Sequence, residues 1–81
     1  MELKDTIEMM TSEDYKERFK AEYYQTKIRC EKLEDMVVKY REGTLEFKPT
    51  CPYKVLYEQL VHMERYRNAL ETRAKIEGID L

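Results

Sequence analysis

Between Glu13 and Glu42 the chain contains neither glycine nor proline. Along it, Phe19, Tyr23, Thr26, Cys30, Leu33, Val37 and Tyr40 recur in alternating steps of four and three. That spacing holds one stripe of side chains on one side of an α-helix. A strand would need alternation at every second residue. A helix of roughly thirty residues extends about 45 Å, so most of a chain of 81 residues is committed to one rod and whatever covers it. A second run supplies the cover: Leu56, Leu60, Met63, Arg67, Leu70 and Ala74 repeat the same steps after Pro52 and before Gly78. Beside them, Gln59, Tyr66 and Arg73 form a stripe at seven-residue spacing.

These runs divide residues 1–81 into one domain. Residues 1–10, with Leu3, Ile7 and Met10 on one face, read as a short amphipathic helix. Thr11 followed three residues later by Asp14 resembles a capping box and predicts a break before a long helix over 12–42. Gly43 is placed to end it. Residues 43–51 form the connection, with Phe47 expected to fold back over the end of the hairpin. Thr50 or Cys51 is expected to cap a second long helix over 52–77, with Pro52 in its first turn. Two long helices joined by a short connection lie antiparallel. That register brings Phe19 near Ala74, Thr26 near Arg67 and Leu33 near Leu60. The fold class is all-α: an antiparallel two-helix hairpin with a short N-terminal helix.

Two helices bury one stripe each, and apolar groups remain outside the seam: Ala21, Tyr24 and Ile28 on the first helix, Tyr57 and Val61 on the second. A second apolar face on so small a domain predicts self-association. The expected product is a homo-oligomeric helical bundle, from dimer to hexamer with the tetramer favoured. Other stabilising devices lack the residues they need. Cys30 and Cys51 are the only cysteines, and His62, read as a partly exposed interface histidine, is the only histidine, which leaves no zinc set. No apolar run approaches a membrane span, and the N-terminus lacks the pattern of a signal peptide. A cytoplasmic protein without cofactor is expected. Charged residues are 40% of the chain, but the net charge is only −2 and the signs interleave, which predicts no binding to duplex nucleic acid.

Catalysis needs a nucleophile, a base and a group to orient them. Ser12 is the only serine and lies at a helix start, Cys30 lies in the seam, and both glycines sit at helix ends, so no phosphate-cradling loop exists. The chain is read as a non-enzyme with no catalytic and no metal-binding residues. Its unusual feature is seven tyrosines, several beside bases: Tyr15 with Lys16 and Arg18, Tyr23 with Lys27, and Tyr66 between Arg65 and Arg67. Aromatic faces stack on nucleobases and arginine forks hold phosphates. Tyrosines equally fill wet helix interfaces with their hydroxyls at the rim. Arg73, near Phe19 and Glu22 in the antiparallel register, has the same two readings: a semi-buried pair with Glu22, or an anion site shared with Arg18.

The pattern Tyr15-Lys16-Glu17-Arg18-Phe19, Glu22-Tyr23, Lys32-Leu33, Gln59-Leu60, Met63, Tyr66, Leu70 and Arg73 resembles a family of small helical-hairpin proteins of crAss-like phages and of phages and prophages of gut bacteria. The resemblance runs from Tyr15 to Ile76. Such proteins are similar to the anti-CBASS and anti-Thoeris sponges that sequester cyclic nucleotide defence signals without cleaving them. The resemblance implies a cyclic dinucleotide such as 3′,3′-cGAMP as ligand, in the cytoplasm of an infected bacterium. It implies bases stacked on Tyr15, Tyr23 or Tyr66 and phosphates met by Arg18, Lys27 or Arg73. The alternative is an adaptor that binds another protein through the spare apolar face.

Overall fold

A computed structural model describes residues 1–81. It is all-helical. A 3-10 turn, Leu3–Thr6, leads into the short helix α1, Ile7–Met10, and two long helices follow: α2, Tyr15–Glu42, and α3, Tyr53–Glu77. The 28 residues of α2 extend about 42 Å, which accounts for the longest dimension of the molecule, 43 Å.

Local chemistry sets the helix boundaries. The Asp14 side chain accepts from the Lys16 amide at 2.9 Å, so Asp14 caps α2. The Ser12 hydroxyl accepts the Asp14 amide at 3.0 Å. Thr11 is not the cap expected from its spacing to Asp14: its hydroxyl donates back to the Ile7 carbonyl at 3.1 Å and closes α1 instead. The break lies where the sequence placed it, but α2 starts at Tyr15 rather than 12. Neither Thr50 nor Cys51 caps α3. Pro52 is itself the N-cap, at φ −60° and ψ 147°, and its carbonyl accepts from Val55 and Leu56. Proline's ring holds φ near this value, so the turn forms without a side-chain cap. Cys51 instead packs beside the core. Gly43 and Gly78 end the two helices at φ 75° and 70°, the left-handed region. At Gly78 the reversal matters to packing, since Ile79 returns its amide to the Ala74 carbonyl at 2.8 Å and buries its side chain.

The two seams meet antiparallel. Near the chain ends Phe19, Tyr23, Leu70, Ala74 and Ile79 form one cluster. Toward the connection Cys30, Val37, Leu56 and Leu60 form another, flanked by Leu33, Met63, Tyr40 and Tyr53. Burying a side chain such as Leu70, 1% exposed, contributes about 1.5–3 kcal/mol. Two expectations fail here. Phe47 does not fold back over the hairpin end and remains 58% exposed; Tyr40, Cys51 and Tyr53 pack against the core there instead. Ala21, expected on an association surface, is 1% exposed within the single chain. The N-terminal segment lies along this side of α2, held where the Gln25 amide donates to Thr6 Oγ1 at 2.9 Å. Thr6 is buried and donates in turn to the Leu3 carbonyl at 2.7 Å. Tyr24 packs half-buried against the first cluster, Ile28 and Val61 are half-buried, and Tyr57 is exposed.

Candidate functional site

Antiparallel packing sets the first turn of α2 beside the last two turns of α3. Tyr15 and Arg73 therefore meet from opposite ends of the chain. The Tyr15 hydroxyl donates to Glu77 Oε1 at 2.7 Å, and Arg73 Nη2 donates to the Tyr15 oxygen at 2.7 Å. Arg73 Nε reaches Glu77 Oε2 at 3.1 Å, one helical turn along. The guanidinium also lies 4.9 Å from the centre of the Phe19 ring, within cation–π range. Two α3 turns away, the exposed Tyr66 donates its hydroxyl to Glu22 of α2. The result is an open polar edge at the surface: two tyrosines, one arginine, two carboxylates and the face of Phe19.

The groups tune one another. The hydrogen bond to Glu77 is the main cause that raises the Tyr15 phenol above its ordinary value. The same bond, with Arg73 adding to it, holds the Glu77 carboxyl below the usual range. Glu77 likewise raises Arg73, which stays fully charged. Arg73 therefore pairs with Glu77 and not with Glu22, because the i to i+4 geometry on one helix aligns its Nε with the carboxylate.

The six residues implied as ligand-binding separate into groups. Tyr15, Tyr66 and Arg73 share this edge. Arg18 donates to the Ser12 carbonyl at 2.8 Å and thus closes the entry to α2. Tyr23 is buried and points to the opposite edge of the hairpin, where its hydroxyl donates to Glu71 Oε2 at 2.7 Å. Burial first, then the Glu71 hydrogen bond, raises its phenol. Lys27 is half-buried and joins neither group.

That opposite edge is a second polar cleft of about 250 Å³, bounded by Cys30, Glu34, Glu64, Arg67, Asn68 and Glu71. Arg67 is its centre, 3.5 Å from Glu71 and 3.9 Å from Glu31. The sequence pattern placed Arg67 in the apolar seam. Its i to i+4 partner Glu71 was the available sign that it turns to the rim. Cys30 is fully buried, and burial, followed by Glu64, pushes its thiol up, which leaves it a weak nucleophile. Phe19 and Glu77 were also missed as site residues. Phe19 reads as core, and Glu77 reads as a solvated helix-end charge until Tyr15 arrives beside it. No three histidine, cysteine or acidic side chains come close enough to hold a metal ion, and no helix is long and apolar enough to cross a membrane.

No curated protein and no solved structure matches this chain. The model of the Sequestin family matches residues 13–76. That span holds α2, the connection, α3 up to its last residue, and every group of the Tyr15 edge except that residue, Glu77. On that match, which covers well over half its length, the chain belongs to the Sequestin family.

Proposed function

We propose that this protein sequesters a cyclic nucleotide defence signal, a cyclic dinucleotide such as 3′,3′-cGAMP, and releases it chemically unchanged. The family name denotes sequestration. The observation that carries the reading is the Tyr15–Arg73–Glu77 triad beside Tyr66. A phosphate takes the place of Glu77 on Arg73. The exchange is favourable in direction, since exposed ion pairs contribute little, whereas an arginine fork on a phosphate makes two charge-assisted hydrogen bonds. The Tyr66 ring offers a stacking face to a base, and the Tyr15 hydroxyl, freed from Glu77, donates to a second phosphate oxygen.

Two features of the side chains support retention over turnover. The Cys30 thiol is buried and held protonated. Glu22 remains occupied as the acceptor of the Tyr66 hydroxyl. The protein acts by mass action as a homo-oligomer in the cytoplasm of the infected cell, holding free messenger below the level its receptor needs.

Isothermal titration with cyclic dinucleotides, cyclic trinucleotides and cyclic ADP-ribose isomers tests this. The expected result is saturable heat with one of them, and recovery of the same compound after the protein is denatured. Absence of heat with all three classes removes the proposal. Recovery of a hydrolysed product replaces sequestration with catalysis.

A further inference from the structure

The flank of α3 on the Tyr15 edge is largely exposed, and of its residues Tyr66 and Arg73 reach α2, at Glu22 and Tyr15. Val55, His62, Ala69 and Ile76 repeat there every seven residues, with Gln59, Tyr66 and Arg73 between them, so the steps alternate between four and three. All seven are exposed. Ile76 is 80% exposed and Val55 50%, and an open groove of about 490 Å³ runs beside Val55, Gln59, His62, Met63 and Tyr66. In a chain that is 40% charged, the stripe carries a single full charge, Arg73. Periodic, charge-poor and exposed side chains are the pattern of a helix seam that meets another helix. The N-terminal segment does not cover it, because that segment lies on α2.

We infer that this stripe pairs with the same stripe of a second copy, antiparallel, about a two-fold axis level with His62 and Tyr66. Such an interface is isologous, so each contact occurs twice. His62 meets the partner's Tyr66, and Gln59 fits over the partner's Ala69. Charge selects the direction. Glu58 flanks the N-terminal half of the stripe, and Arg73 lies in the C-terminal half. Antiparallel pairing brings Glu58 within side-chain reach of the partner's Arg73, and the converse. Parallel pairing sets Arg73 against the partner's Arg73 at the same height and leaves Glu58 far from either, a like-charge contact that destabilises. Antiparallel α3 helices also oppose their dipoles. This inference specifies the surface of the self-association within the proposed function, and it holds without any ligand.

Sedimentation of the full chain, together with cysteine cross-linking, tests it. The wild type is expected to sediment as a dimer or as an even multiple of one. Ala69→Arg lies on an exposed position and should retain its helical circular dichroism. It is expected to weaken association roughly a hundredfold by placing bulk and charge against the partner's Gln59. In a Cys51→Ser background, a chain carrying Gln59→Cys mixed with a chain carrying Ala69→Cys is expected to form a mixed disulfide. A monomeric wild type, as a face reserved for a different protein would give, overturns the inference. So does unchanged assembly of Ala69→Arg, or a Gln59→Cys chain that links to its own kind in preference to the mixed pair. Nucleotide titration is a separate measurement: no heat from a dimer that passes both tests removes the sequestration reading and leaves the interface standing.

Discussion

Arg73 is contested among Glu77, the Tyr15 hydroxyl and the Phe19 ring, and that contest defines what the edge can do. Arg73→Ala is expected to weaken nucleotide binding by roughly ten- to a hundredfold, the scale of a lost charge-assisted hydrogen bond, and calorimetry on the folded variant measures it. Arg73→Lys should restore little of the loss, because an ammonium keeps the charge but not the fork. The tyrosine beside it reports the same cluster through pH. The Tyr15 phenol is raised in the folded chain, so its contribution to stability is complete below the ordinary phenol range and is lost as pH rises through the raised value. The Glu77 carboxyl is lowered, so its contribution is complete above the ordinary glutamate range and is lost as pH falls through the lowered value. The triad is therefore intact across neutral pH and opens at both extremes. Ultraviolet titration of the phenolate band should show one tyrosine midpoint move down in Glu77→Gln, since the hydrogen bond to a carboxylate that raises it is gone. An unchanged titration curve in that variant argues against the Tyr15–Glu77 bond in solution.

At the scale of elements, the hairpin and the N-terminal segment have different anchors. The hairpin rests on seam packing, and Leu70→Ala, which empties a site only 1% exposed, is expected to cost about 2–5 kcal/mol in urea denaturation. Gly78→Ala forces a side chain into φ 70° at the turn that returns Ile79 to the core, at a cost of about 1–2 kcal/mol. The N-terminal segment hangs on Thr6, whose hydroxyl both accepts from Gln25 and donates to Leu3. Thr6→Val removes both bonds while keeping the shape. Hydrogen exchange in residues 3–10 is then expected to accelerate while the amides of α2 and α3 around Leu70 remain protected. Uniform acceleration across the hairpin would show that the segment is part of one cooperative unit. The family match begins at residue 13, after this segment, in keeping with a hairpin that folds around its own two seams.

For the whole molecule, stability and function are coupled through surface left uncovered. A domain of 81 residues buries a smaller fraction of its surface than a larger one, and the α3 stripe and the Tyr15 edge share Tyr66 and Arg73. Ligand at a hundred times its dissociation constant should raise stability by about 2.7 kcal/mol. A thermal-shift series in nucleotide concentration checks this, and Arg73→Ala should flatten it. Dilution below the dissociation constant of the dimer should lower the melting temperature of the wild type, and Ala69→Arg should show that fall at roughly hundredfold higher concentration.

The two seams were readable residue by residue: Phe19 with Ala74 and Leu33 with Leu60 lie in the clusters their spacing predicted. A period of 3.6 residues leaves one stripe inward, and the short connection leaves antiparallel pairing as the available geometry. Both glycine stops were legible for a similar reason, since few residues other than glycine occupy the left-handed turn at low cost. Only tertiary structure decided which side of each rod stays open. Ala21 looks free in sequence and is covered by residues that precede it, whereas Arg67 looks like core and turns to a rim with Glu71. Tyr15, Arg73 and Glu77 make one site because folding joins positions 58 and 62 residues apart. Periodicity reports the direction of a side chain from its own helix axis, and contains no term for what arrives from elsewhere in the chain to meet it.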